Sequence, residues 1–232
     1  AALVLGSASN GDSGAARPHR GVRLAARGPF VQAADPELLA RLAPETVSRT
    51  TRVDTLSELV LAAVARLLCE LPERPGSDTA VIVGSACVTL EVNEAFDRRR
   101  RSGQAVEPRR FPATSPNLAA GLCSIAFGFR GPALCVTPCA YRDAALIAYD
   151  LIALGDVDSA IVVTAEDVGA AVEGLCISMG CPSPARGATA RLFSANGTGE
   201  LLSRPDWTEP GAFRTESGGR ARSSTDSSAG RA

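Results

Sequence analysis

Apolar runs alternate along the chain with short stretches of turn-forming residues, and the clearest of these patterns lies between Phe111 and Asp167. Asn117 follows Ser115-Pro116, a helix-start signal, and the chain from Asn117 to Phe127 is apolar on nearly every side, which predicts a buried helix. Gly128 and Gly131-Pro132 punctuate its end, because glycine can close a helix in the left-handed conformation and proline cannot continue one. Ala133 to Thr137 carries no charge and is bounded by turn signals, which predicts a strand buried on both faces. A second apolar helix from Tyr141 to Leu154 and a further buried strand ending at Ala165-Glu166 complete the stretch.

Elsewhere the signals vary in strength. Ala2 to Gly6 reads as a first core strand, and residues 10 to 45 are polar and punctuated by Arg and Pro, with no element predicted. From Arg52, apolar residues at helical spacing (Leu56, Leu59, Val60, Ala63, Val64, Leu67, Leu68) predict a long helix, with Thr55 and Glu58 as its capping box. Thr79 to Gly84 predicts a second buried strand, and Leu90 to Arg101 a helix ending in four arginines. Those arginines read either as a solvated helix end facing its own negative dipole or as a docking patch for an acidic carrier protein. Residues 167 to 187 show only a turn of helix around Cys176 to Met179, and Ala188 to Phe193 reads as a last, edge-like strand. The order is α/β with mostly parallel pairing. Residues 1–200 are assigned to one domain and 201–232 to an irregular tail, disordered from about Thr215, too poor in apolar residues to bury a core.

Composition narrows the function classes. A formal net charge of −1 gives no electrostatic footprint for nucleic acid or an anionic membrane. With neither a bilayer-length apolar run nor a signal-peptide pattern at the N-terminus, the expected location is cytoplasmic. Seven cysteines, an odd number set mostly in apolar segments, read as reduced thiols. The pairs Cys135/Cys139 and Cys176/Cys181 have spacings unlike common zinc modules, so no metal or other cofactor is expected. The Gly- and Ser-rich turn after Gly6 lacks dinucleotide-fingerprint spacing. His19, the only histidine, sits in a basic loop with no positioned partner.

Asn117, Gly121, Gly128 and Gly131-Pro132, then strand, cysteine, apolar helix, Gly155, Asp158, strand and Ala165-Glu166, resemble the N-terminal half of a β-ketoacyl synthase of the thiolase superfamily. Arg52 and Asp54 are similar to the opening of that family's first long helix. The resemblance implies one thiolase-like half, a mixed five-stranded sheet with helices on both faces. It implies chemistry in which a cysteine takes an acyl group and a malonyl thioester is decarboxylated, with two histidines supplied by the second half. No histidine follows residue 19, which makes elongation by these residues alone an unfavoured expectation.

The same resemblance places Cys139 at the mouth of the second apolar helix, where the helix dipole would favour a thiolate. Its offsets from Gly131 and Gly155 are each about one residue short of the family's spacing, and Ala140, Tyr141 and Arg142 follow where the family has small residues. Val163 and Thr164 replace paired glycines. Any pocket would be lined by Cys139, Asn117, Tyr141, Arg142 and Thr164, with Arg142 holding an anionic group or, the favoured reading, bridging to Asp143 or Asp150. Two functions remain open. One is a non-elongating partner similar to chain length factors, paired with itself or with a full-length ketosynthase through the strand and helix before the cysteine, and possibly meeting an acyl carrier protein. The other is an acyltransferase in which Cys139 moves an acyl group from a carrier protein or coenzyme A.

Overall fold

The computed structural model describes residues 20–43, 54–105, 108–137, 140–196 and 199–202. The expected strand at Ala2 to Gly6, His19, Arg52, Cys139 and the polar tail beyond residue 202 lie outside these residues.

Six strands form one mixed sheet: β1 (Val22–Arg27), β2 (Ala80–Gly84), β3 (Ala133–Val136), β4 (Ser159–Glu166), β5 (Gly187–Ser194) and β6 (Glu200–Leu202), in the order β3-β2-β4-β5-β1-β6. β2 pairs parallel with β3 and β4, whereas the β4/β5, β5/β1 and β1/β6 pairs are antiparallel. Where the resemblance implies five strands, the described residues form six, and two of these, β1 and the short edge Glu200–Leu202 beside Val22–Leu24, fall where no strand is predicted. β1 lies inside the polar segment where no element is predicted. Its alternation of Val22 and Leu24 inward with Arg23 outward is a period-2 signal diluted by two arginines. β5 is not an edge strand: it is hydrogen-bonded on both sides, to β4 and β1.

Among the described residues, six α-helices accompany the sheet: α1 (Pro36–Leu42), α2 (Thr55–Glu70), α3 (Leu90–Arg101), α4 (Leu118–Phe127), α5 (Ala140–Ala153) and α6 (Ala170–Met179), with a 3₁₀ helix at Pro108–Thr114. One face of the sheet, carrying Val81, Val83, Ile161, Val163, Ala190 and Leu192, packs against α1, α2 and α4. The opposite face, carrying Ala80, Ile82, Ala160, Val162 and Phe193, packs against α5 through Ala144, Ala145, Ala148 and Ile152. The alternating register of the strands divides these two cores. Burial of side chains such as Leu56, Leu59, Val60, Val64 and Leu67 holds α2 in place, each contributing roughly 1.5–3 kcal/mol against leaving it in water.

Local signals differ from expectation in two places. Asp54, not Thr55, caps α2: its carboxylate accepts from the Ser57 amide at 3.0 Å and the Ser57 hydroxyl at 2.7 Å. Thr55 is already helical and cannot serve as the cap. Residues 170–179 form a full helix rather than a single turn. Gly131 sits where a Cβ would strike the Asp78 and Thr79 backbone carbonyls, so glycine there is set by close approach of two chain segments.

Candidate functional site

The parallel strands β2, β3 and β4 run in one direction, so their C-terminal ends meet at one edge of the fold, the usual place for a site in an α/β sheet. The loop leaving β2 is held there by Glu166, the last residue of β4. The Glu166 carboxylate accepts from the Ser85 hydroxyl (3.0 Å), the Ala86 amide (2.6 Å) and the Cys87 amide (3.2 Å). Ser85 in turn accepts from the Val88 amide (2.8 Å), and Thr137, just past β3, donates to the Ala86 carbonyl (3.3 Å). Val88 has a φ of 43°, an uncommon conformation for a β-branched residue, held by this network. Burial pushes the Glu166 carboxyl above its usual range, against the Ala86, Cys87 and Ser85 hydrogen bonds that favour its anion.

α5 approaches from one face of this edge, starting at Ala140. Register puts Gly84, Thr164 and Thr189 in one row across β2, β4 and β5, and alternation places Thr164 on the same face as Val162, which is the α5 face. The Thr164 hydroxyl is buried and has no hydrogen-bond partner among the described residues. Tyr141, in the first turn of α5, is half-exposed with the Arg191 guanidinium 4.4 Å from its ring centre. Arg142 is half-buried and engaged by its neighbours, as is Asp150.

Asn117 does not join this group. Its side-chain amide donates to the Ala133 carbonyl at 3.0 Å. It thus ties the start of α4 to the backbone of β3, and it makes no capping bond to its own helix. Thr164 and Tyr141 therefore share the α5 side of the sheet, Asn117 serves the β3 edge, and Cys139 lies outside the described residues. Sequence reasoning missed the loop held by Glu166. Ser85 and Cys87 stand about eighty positions from their acceptor, and no local pattern marks that pairing.

Three of the described thiols, Cys87, Cys123 and Cys135, are pushed toward the neutral form. Burial first, then the Glu166 charge, pushes Cys87 up to about 11. Burial likewise raises Cys135 to about 11, opposed by a hydrogen bond from the Val136 amide. Cys123 is fully enclosed and pushed up by burial. None of these three is an activated nucleophile. Among the described residues no group of three or more His, Cys, Asp or Glu side chains is placed to hold a metal, and no helix is long and apolar enough to cross a membrane.

Among the described residues, β3 is one of the two edges of the sheet, β6 being the other. β3 is expected to be buried on both faces, yet it is an outermost strand, and its Leu134 is 38% exposed. On α4, which covers the other face of the sheet, Ile125 is 71% exposed. The Pro132 and Val136 carbonyls accept from β2 and its following residue, so alternation turns the Ala133 and Cys135 backbone groups outward.

The family model for the N-terminal domain of β-ketoacyl synthases matches residues 17–203. No curated protein matches the chain. Among solved structures, the ishigamide ketosynthase/chain length factor superposes with a TM-score of 0.57 at 20% identity, over 76% of this chain and 61% of that one. A ketosynthase in complex with its chain length factor from Xenorhabdus doucetiae gives 0.56 at 15% identity, over 76% and 80%. A type II polyketide synthase acyl-carrier protein in complex with its ketosynthase gives 0.60 at 13% identity, over 77% and 58%. The chain thus spans about three-fifths of the length of the ishigamide protein.

Proposed function

The chain belongs to the β-ketoacyl synthase family through its N-terminal domain, and from that membership we propose that it is a ketosynthase-like, non-elongating partner of the chain-length-factor kind in polyketide or fatty-acid-type biosynthesis. The observation that carries this reading is the open β3 edge. A strand whose Cys135 backbone groups face outward, with Leu134 exposed on one face and Ile125 exposed on the helix covering the other, presents apolar side chains and an edge for strand pairing together. A second such edge, from another copy or from a full-length ketosynthase, would satisfy both. The structural similarity to a ketosynthase/chain length factor and to a ketosynthase in complex with its chain length factor supports the same reading. The bulky Tyr141–Arg191 stack beside the first turn of α5 supports a partner more than an open catalytic pocket. An acyl carrier protein is a further proposed partner.

Light scattering tests the pairing, first on the chain alone and then mixed with a full-length ketosynthase from a chain-length-factor system. A dimer mass in either arm is the expected outcome. A monomer at micromolar concentration in both would overturn the proposal.

The acyltransferase reading keeps one observation in its favour: the helix whose positive end would activate Cys139 begins at the next residue, Ala140. Intact mass after incubation with acyl-coenzyme A, with Cys139→Ala in parallel, decides it. One acyl adduct lost in the variant would establish Cys139 as a nucleophile, and no adduct would exclude it.

A further inference from the structure

The C-terminal end of α6 places two cysteines where the backbone itself brings side chains together. Gly180 takes the left-handed conformation, φ 64°, and two hydrogen bonds close the helix: the Gly180 amide donates to the Ile177 carbonyl (3.1 Å) and the Cys181 amide to the Cys176 carbonyl (3.0 Å). This is the paired 5→2 and 6→1 pattern of a Schellman motif. In that motif the residue just beyond the left-handed glycine folds back over the residue five positions earlier, and the two side chains commonly make an apolar contact. Here those positions are Cys181 and Cys176. Beyond burial itself, the Cys181 thiol and the Ser183 hydroxyl from the same loop are near enough to Cys176 to influence its thiol, Cys181 raising and Ser183 lowering its tendency to hold the proton.

We propose that Cys176 and Cys181 are a thiol pair that closes to a reversible intramolecular disulfide. The two sites differ in access: Cys181 is exposed and Cys176 is buried beneath it. Cys181 is therefore the entry point. Its thiolate attacks one sulfur of a low-molecular-weight disulfide and releases the first small thiol. The Cys176 thiolate then displaces the second small thiol from Cys181, forming the protein S–S bond. Two protein thiols are oxidised, one small disulfide is reduced to two thiols, and the two protons leave with them. Cys87 is the third thiol near this pair, but it sits on a separate loop whose backbone is held by Glu166.

Closure would staple the last turn of α6 to the segment leading into β5, whose far end is already tied by Arg186 to Asp167 at 3.5 Å. This end of α6 carries the exposed Leu175, Ile177 and Met179, so oxidation would fix the backbone that presents them. The pair is independent of the partner proposal, because it lies on α6 and not at the β3 edge.

The test uses the full chain and glutathione disulfide as the probe, followed by acid quench, alkylation, intact mass and peptide mapping. The expected result is loss of two of the seven alkylatable thiols. The protein should become lighter by two hydrogens, with the bond mapped to Cys176 and Cys181 and reversed by dithiothreitol. Cys176→Ser should instead retain one glutathione on Cys181, as a trapped mixed disulfide. A cross-link from either cysteine to Cys87 would overturn the proposal. So would a lasting glutathione adduct on wild-type Cys181, or both cysteines staying fully alkylatable.

Discussion

At the scale of single residues, Glu166 joins the end of β4 to the loop after β2, and its replacement should be felt in two ways. Glutamine has one carbonyl oxygen where the carboxylate has two, so either the Ala86 or the Cys87 amide loses its acceptor. A cost of about 1–3 kcal/mol follows for Glu166→Gln. The second effect concerns pH. Burial holds the folded carboxyl above its usual range, so the folded state keeps that proton more tightly than the unfolded chain. Its contribution to stability is fully present below the unfolded value of about 4.3 and is lost as pH rises through the raised one. Urea unfolding of both proteins between about pH 4 and 7 should show the variant less stable and with a shallower decline. An unchanged slope would contradict this account of Glu166. Gly131→Ala is a purely steric case: with the Asp78 and Thr79 carbonyls in the way, thermal unfolding should report a loss of about 3 kcal/mol. The sequence marks Gly131 as a turn and Ala165-Glu166 as a family signature, but the atoms each meets come from distant segments.

At the scale of elements, α6 shows how tertiary contacts supply what local sequence lacks. Its N-cap, Gly169, offers no side chain, and only Val172 and Cys176 are buried. Glu91 of α3 takes over the cap: its Oε1 accepts from the Gly169 amide (2.9 Å) and the Val172 amide (2.8 Å), placing a negative charge at the helix's positive end. Glu91→Ala should therefore free two amides and cost about 1–2 kcal/mol. Hydrogen exchange at residues 169 to 172 should accelerate in the variant, and Glu91→Gln should restore part of the protection. Protection unchanged in Glu91→Ala would mean that the cap is dispensable. The short helical pattern around Cys176 to Met179 could not reveal this, because the stabilising group lies about eighty positions earlier. α2 and α5 were legible for the opposite reason: their long apolar faces encode helix and burial together.

At the scale of the molecule, the β3 edge is the surface on which the partner proposal stands. Ile125→Arg combined with Leu134→Arg replaces exposed side chains, so the fold should change in stability by no more than about 0.5 kcal/mol for each. The same pair should shift the light-scattering mass from dimer to monomer, in the homotypic or the ketosynthase arm. Retained dimer mass would move the interface elsewhere.

The sequence by itself determined the alternation of strand and helix from α2 through β4 and the motifs that resemble β-ketoacyl synthases, because period, turn chemistry and spacing are local properties. Only the tertiary structure decided the sheet order, the interior place of β5, the added strands β1 and β6, and the open edge at β3. It also separated Asn117 from Thr164 and Tyr141, and paired Glu166 with Ser85, Ala86 and Cys87. Each of these depends on which distant residues share one face or one hydrogen bond, and that is fixed by packing rather than by any window of the chain.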